Sequence, residues 1–315
     1  MKVGLVGLGR MGTDIAKRLV NGGHEVFVWG RSDKVFKNAE EVGARGTTDM
    51  QEFFNQLPSP RIIWLMVTSD AVDEVLQKTM PYLSKGDIVV DGGNSFFKDS
   101  IRRASELKDK GINFLDVGTS GGIEGEEIGY CIMVGGEKEI FHKIEPILQK
   151  IATKDGYGYV GKSGAGHFAK MVHNGIEYGM MESIGEGAAM LKNSQFDFDL
   201  REVFRIYSAK SIIDSRLVSW TLNELRENPD LSGISSIIGS GGSGEKIVGE
   251  GHWTVQTAKE MGIDVPAIEA AVRVRDSSDK DSESSPSGFR NKVVAAMRWQ
   301  FGQHPVKKDK PKENE

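Results

Sequence analysis

The opening run KVGLVGLGRMG constrains the fold more than any other part of this chain. KVGLV (2–6) reads as a strand. Gly7, Gly9 and Gly12 then form G-x-G-x-x-G at the mouth of a helical pattern, MGTDIAKRLVNGG, which stops on its own glycines. A second strand, EVFVW (25–29), follows closely, so the turn sits inside a strand–helix–strand unit, the context in which the motif is informative. A turn without side chains lets backbone N–H groups and a helix N-terminus approach a pyrophosphate and stabilise its charge. Gly7, Leu8, Gly9, Arg10, Met11 and Gly12 are therefore expected to hold a dinucleotide.

Short β-branched runs continue at RIIWLMV (61–67), DIVVD (87–91), NFLDV (113–117), CIMVG (131–135) and YGYVG (157–161), with helical patterns between them. That alternation predicts a parallel sheet with crossover helices, and it sets Met66 and Val67, at a strand's end, beside the cofactor. From Gly164 onward the strand patterns vanish. A long helix is expected from about Ala165 to Asn193, with others near 199–226, 254–261, 266–275 and 288–301. The fold class is thus α/β: an N-terminal Rossmann-like doubly wound sheet, then an all-α C-terminal domain. A chain of 315 residues is long for one core, and the expected division is a dinucleotide-binding domain over 1–164, a helical substrate-binding and dimerisation domain over 165–305, and a charged, disordered tail over 306–315. GSGGSGEK (239–246) reads as a flexible loop and DSSDKDSESSPSG (276–288) as a solvated, turn-rich stretch.

The residues after the second strand bear on the choice of cofactor. An NAD enzyme commonly has Asp or Glu there to accept hydrogen bonds from the ribose; this chain reads VWGRS. Arg31 offers a fork to a 2'-phosphate and Ser32 a hydroxyl, so NADP is favoured over NAD. A net charge of -5 argues against general nucleic-acid binding, and no run of about 18 apolar residues is present to span a membrane. The single cysteine, Cys131, cannot form an internal disulfide, which fits a reducing, cytoplasmic setting, and MKVGLVGLG lacks the flanks of a signal peptide.

The segment KMVHNGIEYGMM (170–181) breaks the usual rule for a helix. Lys170, His173, Asn174, Glu177 and Tyr178 recur at one helical face, while Met171, Val172, Ile176, Met180 and Met181 are expected to pack elsewhere. Five different polar groups in register suggest a site, because a lysine held in an apolar helix is costly. Upstream, GKSGAGHFAKMVHN supplies G-x-x-G-x-G-x-x-x-K-x-x-x-N, whose glycines bring the chain close to a ligand or another backbone.

This signature resembles that of the β-hydroxyacid dehydrogenases, and KMVHNGIEYG is similar to its 6-phosphogluconate dehydrogenase version. DGGNS (91–95), TSGG (119–122) and MVGG (133–136) agree in the same order, over nearly the whole chain to about His304, at the length of the family's shorter branch. The resemblance implies oxidative decarboxylation of 6-phosphogluconate to ribulose 5-phosphate, in the pentose phosphate pathway. Lys170 would be the base at the 3-hydroxyl and, once protonated, the donor to the developing oxyanion. Glu177 would protonate C1 of the enediol, about 10 Å along the same helix. Ser120 and Asn174 join the catalytic set. Ser120, Gly121 and Gly122 would hold the carboxylate, with Asn94, His173 and Asn174 on the hydroxyls; Asn94 also faces the cofactor. Tyr178 and Arg275, with Arg273 as the other candidate for that position, would hold the phosphate. Arg298 and His304, in RWQFGQH, would complete the clamp from a partner subunit, making a homodimer or higher homo-oligomer with tail-shared active sites. No metal is implied.

The chain departs from the longer members at V-G-E-G-H-W. Val248 and Glu250 replace a basic and a hydroxyl contact, and His252 stands where relatives carry Lys or Arg, with Lys246 the candidate to compensate. Two other readings share parts of this pattern: another β-hydroxyacid dehydrogenase, for example one acting on 3-hydroxyisobutyrate, and a non-catalytic NADP(H)-binding redox sensor. The first has no need of Glu177 or of Arg275, Arg298 and His304; the second has no need of Lys170 and Glu177.

Arg31→Ala should raise the KM for NADP by about tenfold to a hundredfold, the worth of a charged fork to phosphate, and barely move that for NAD. Steady-state kinetics with both cofactors check this, and equal use of the two by the unaltered protein would refute it.

Overall fold

Strand β1 (Lys2–Val6) lies inside a sheet because every residue from Val3 to Val6 is apolar or glycine and buried, a pattern that only a strand covered on both faces can satisfy. In the structure, a computed structural model describing residues 1–239 and 249–302, β1 is flanked in parallel by β2 (Glu25–Trp29) and β4 (Ile62–Leu65). Among the described residues the sheet has eight strands in the order β3-β2-β1-β4-β5-β6-β7-β8, with β3 at Arg45–Thr47, β5 at Ile88–Asp91, β6 at Asn113–Ser120, β7 at Tyr130–Gly136 and β8 at Ala152–Gly161. The doubly wound α/β architecture expected from the sequence is present. One pairing differs: β7 runs antiparallel to β6, because only the short segment after Ser120 joins them and no crossover helix intervenes. The three-residue β3 has no counterpart among the expected strands, since RGT carries no apolar alternation.

Helices cover both faces of the sheet: α1 (Arg10–Asn21), α2 (Lys34–Glu41), α3 (Met50–Asn55), α4 (Val72–Thr79), α5 (Phe97–Lys108), a single turn α6 (Gly125–Ile128), and α7 (Lys138–Ile151). One cluster under the sheet joins Val3, Leu5, Ile15, Leu19, Trp64, Val90 and Ile144; another, on the opposite face, joins Val6, Phe53, Ile63, Leu65 and Phe114. Cys131 is free and exposed on β7, between the buried Tyr130 and Ile132.

After β8 the chain is helical: α8 (Ala165–Lys192), α9 (Leu200–Tyr207), α10 (Arg216–Glu227), α11 (Glu250–Glu260), α12 (Pro266–Asp276) and α13 (Pro286–Gly302). The single helix expected near 199–226 is two. Lys210 adopts a left-handed φ of 60°, Ser211 donates back to the Tyr207 carbonyl at 2.6 Å, and Ser215 accepts from the Val218 N–H as the cap of α10. Local hydroxyl bonds thus outcompete helix continuation. By internal contacts the chain divides into two units between Lys170 and Met171, inside α8. The second unit's core gathers Tyr178, Met181, Leu217, Trp220, Val293, Val294 and Met297. Among the described residues, no helix is long and apolar enough to cross a membrane, and no cluster of metal-ligating side chains occurs. Most of the glycine- and serine-rich run, with Lys246 and Val248, and the tail with His304 lie outside the described residues.

Candidate active site

The glycine turn opens at the carboxyl end of β1, where the strand order reverses between β1 and β4, the position at which doubly wound sheets take their ligands. Gly7 has φ 98°, and a side chain there would strike the Met66 carbonyl; one on Gly12 would strike the Gly7 carbonyl. Gly9 is different, for a Cβ on it would meet no protein atom within 4 Å. Protein packing does not require glycine at that position, whereas a ligand approaching the backbone does. Gly9 is also the N-cap of α1, with no side-chain cap and no acidic residue in the first turn, so the helix N-terminus keeps its donors for an anion. Leu8, Met11, Met66 and Val67 are partly buried beside the turn, and Arg10 is exposed. These residues fit a dinucleotide.

Arg31 and Ser32 are exposed just past β2. The end of β2 itself has no carboxylate, but α4 brings Glu74 within electrostatic reach of Arg31. That carboxyl is held below the usual range mainly by its hydrogen bond from Lys78, at 2.6 Å, and only weakly by Arg31. Arg31 is therefore still available to a phosphate.

Two buried carboxylates organise the next part of the first unit. Asp91, at the end of β5, accepts from the Gly93 N–H at 3.2 Å and the Ser95 hydroxyl at 2.8 Å, and pairs with Arg103 at 3.3 Å, which shapes the loop carrying the exposed Asn94. Asp116, on β6, accepts from the Gly164 N–H at 2.7 Å and the His167 N–H at 2.9 Å, so a strand residue caps the start of α8. The crossing is tight. A Cβ on Gly166 would lie 2.3 Å from the Asp116 carbonyl, and one on Gly118 would lie 2.5 Å from Lys170 Cβ. Glycine at both places lets the Lys170 stem rest on β6, the strand that ends at Ser120. Gly121 and Gly122 follow it, with Gly122 at a left-handed φ of 63°.

Along α8, Lys170, His173, Asn174 and Glu177 are half-buried and Tyr178 is buried. His173 Nδ1 lies 3.0 Å from Asn174 Oδ1 and 3.7 Å from Glu177 Oε2. The expected opposite face is only partly as read. Met171 and Met181 are buried, but Ile176 and Met180 are 53% and 41% exposed. The polar face is thus the more enclosed one near Tyr178, the reverse of an ordinary amphipathic helix.

Around Tyr178 the second unit gathers two buried arginines. The Arg275 guanidinium lies 3.5 Å from the ring centroid, and Gly251, in the first turn of α11, is so close that a Cβ would come within 2.6 Å of the same ring. Arg275 is 5% exposed whereas Arg273 is exposed, which selects Arg275 of the two candidates. Arg298 is 7% exposed, and its pKa is pushed down to about 10 by burial, then by the neighbouring Arg275. Burial raises the Tyr178 phenol, Glu250 adds to the rise, and Arg275 opposes it. Depression of Arg298 to about 10 corresponds to on the order of 3 kcal/mol against its charged form, comparable to one or two charged hydrogen bonds that an anion would return. His252 pairs with Asp276 at 2.9 Å.

α13 is seated in the second unit's core through Val293, Val294 and Met297, and Arg298 lies close to Tyr178 and Arg275 of its own chain. The polar stretch before it is tethered: Asp281 pairs with Arg290 and Asn291, each at 3.0 Å, and the Ser278 hydroxyl accepts from the Ile238 N–H at 2.9 Å. Sequence reasoning missed Asp116 and His167. A lone Asp in the apolar strand NFLDV was the available signal for the first.

Residues 2–161 match the family described as the NAD binding domain of 6-phosphogluconate dehydrogenase, and residues 166–310 match the 6-phosphogluconate dehydrogenase C-terminal domain. The chain is 43% identical over 308 residues to the Bacillus subtilis protein YqeC, covering 98% of this chain and 100% of that one. It is 36% identical over 309 residues to the NAD(+)-dependent, decarboxylating 6-phosphogluconate dehydrogenase of Haloferax volcanii, covering 97% and 98%. Among solved structures, Plasmodium falciparum 6-phosphogluconate dehydrogenase, determined in its apo form, with NADP+ and with 6-phosphogluconate, superposes with a TM-score of 0.79 at 30% identity. That match covers 100% of this chain and 67% of the other.

Arg298→Met keeps the length of the side chain and removes the buried cation. The expected outcome is divided: a thermal midpoint unchanged or raised, because a desolvated like-charge neighbour of Arg275 is gone, and affinity for inorganic phosphate reduced by about tenfold or more. Calorimetric titration together with thermal unfolding reads both, and wild-type phosphate affinity in this variant would rule out the cluster as an anion clamp.

Proposed function

The chain belongs to the 6-phosphogluconate dehydrogenase family, and from that premise we propose that it converts 6-phosphogluconate to ribulose 5-phosphate and carbon dioxide, with NADP as the preferred acceptor and NAD as the alternative. The observation that carries this reading is the cluster of buried Arg275 and Arg298 around Tyr178, the residue that follows Glu177 on the helix that also bears Lys170. An unphosphorylated hydroxyacid such as 3-hydroxyisobutyrate would bring no phosphate to these two buried guanidiniums. A redox sensor would have no use for them at all.

When bound, the nicotinamide cofactor accepts the hydride that leaves C3. Gly7 to Gly12 and Arg31 hold that cofactor in this reading, with Met66, Val67 and Asn94 alongside. Lys170 takes the proton from the 3-hydroxyl, for which it must be neutral, so its free-state pKa of about 10.4 has to be lowered in the working site. The 3-keto acid then loses carbon dioxide as protonated Lys170 donates to the carbonyl oxygen that receives the electron pair. Glu177 protonates C1 of the resulting enediol. Glu177 lies two helical turns beyond Lys170 on the same face of α8, about 10 Å in rise, so the two long side chains must lean toward one another to serve neighbouring carbons of one substrate. Ser120, Gly121 and Gly122 bind the carboxylate and Asn94, His173 and Asn174 the hydroxyls, holding the reacting atoms in place.

The reading includes a homodimer. Phe196, Ile206, Ile212 and Ile213 are each more than half exposed, and Met190 is 75% exposed, apolar side chains that a second copy of the chain would cover. A solution mass twice that of the 34.5 kDa chain is expected by light scattering, and a mass of one chain at micromolar concentration would remove this part of the reading.

Lys170→Met should slow hydride transfer by about 10²- to 10⁴-fold, the scale of a lost general base. Glu177→Gln should leave oxidation in place and slow protonation of the enediol. Stopped-flow reduction of the cofactor, combined with solvent tritium incorporation at C1, separates the two. Near-normal turnover by folded Lys170→Met would exclude the assigned base.

A further inference from the structure

One buried polar ring in the first unit has no part in the chemistry above. His167 is 1% exposed and lies in the first turn of α8, three residues before Lys170 and therefore on the same side of the helix. Its Nε2 lies 3.1 Å from the Gly93 carbonyl oxygen and its Nδ1 2.7 Å from the Ser100 hydroxyl. A carbonyl only accepts, so Nε2 carries the proton, and Nδ1 accepts from Ser100. The hydroxyl's other contact, to the Phe96 carbonyl, is longer at 3.4 Å. The backbone N–H of His167 meanwhile donates to Asp116. A single residue thus ties four pieces together: α8, β6 through Asp116, α5 through Ser100, and the loop whose next residue is Asn94.

An apolar ring would fill this space without the cost of burying two polar nitrogens. What the imidazole adds is a fixed distance between the start of α8 and the Gly93 carbonyl. The loop is held from its other side by Asp91, which grips the Gly93 N–H and the Ser95 hydroxyl. Asn94 is therefore suspended between two anchors, one on β5 and one on the helix of the base.

We propose that His167 is a positioning residue that sets Asn94 in register with Lys170 by holding the Gly93 carbonyl. The proposal rests on the reading of Lys170 as the base and of Asn94 as a ligand of substrate and cofactor. Displacement of a reacting group by about 1 Å costs on the order of 10²-fold in rate, so loss of the strap should act on kcat.

The test compares His167→Phe, which keeps a ring and removes both nitrogens, with His167→Gln, which keeps a donor that can reach the Gly93 carbonyl. In the purified full-length protein, His167→Phe should lower kcat on 6-phosphogluconate by about 10- to 100-fold and enlarge the isotope effect with substrate deuterated at C3. His167→Gln should recover much of the loss. Ser100→Ala, which removes only the second anchor, should act in the same direction and more weakly. Amide hydrogen exchange over residues 93–95, which needs no turnover, should speed up in His167→Phe. Wild-type kcat in folded His167→Phe overturns the proposal, as does a rate loss matched by loss of folded protein with an unchanged isotope effect. If the unaltered protein does not turn over 6-phosphogluconate, the functional reading fails while hydrogen exchange still decides the strap: unchanged exchange at 93–95 sinks it.

Discussion

Two backbone N–H groups at the mouth of α8 donate to one buried carboxylate, that of Asp116, and the first unit's share of the site depends on this contact. A helix of 28 residues starts with orphan donors and a partial positive charge that must be met. Here they are met by a strand rather than by a local serine or aspartate, so the helix start cannot shift without uncovering a fully buried charge. The glycines at 118 and 166 bring backbone against backbone at the same crossing, and the stem of Lys170 rests where a side chain on β6 would otherwise be. The position of the proposed base is therefore a consequence of sheet geometry, not of the local preferences of its own helix.

The second unit shows the opposite economy. Its core is ordinary apolar helix packing, yet Arg275, Arg298 and Tyr178 are buried there, with the carboxylates of Glu177 and Glu250 near Arg298 and that of Glu182 near Arg275. Such an arrangement opposes stability and marks a candidate site. Glu250 lies close enough to influence both Tyr178 and Arg298, and its carboxylate partly offsets the Arg298 guanidinium.

Much of this was legible in the chain itself. The strands over 2–6 and 25–29 match residue for residue, and α8 ends at Lys192, within a residue of the expected Asn193, because periodicity and glycine stops are local signals. Where signals were not local, the sequence misled. The apolar run of β7 announces a strand but not its direction, which follows from how short a connection joins it to β6. The break between α9 and α10 depends on hydroxyls choosing nearby carbonyls over helix continuation. The polar stretch before the tail helix reads as solvated and turn-rich, yet Asp281 accepts from Arg290 and Ser278 accepts from the Ile238 N–H, contacts that no local pattern announces.

The sequence alone determined the fold class, the place of the dinucleotide turn and the row of groups from Lys170 to Tyr178, since each rests on spacing along a strand or helix. Only the tertiary structure decided which of Arg273 and Arg275 turns inward, that Arg298 joins Arg275 in its own chain, that Glu74 stands near Arg31, and that Asp116 and His167 hold the start of the helix. Those are contacts between residues tens to more than a hundred positions apart. Periodicity says which face of an element a residue occupies, but not what that face meets; that is set by how the elements pack, where burial makes an unpaired charge or an unmet N–H too costly to leave alone.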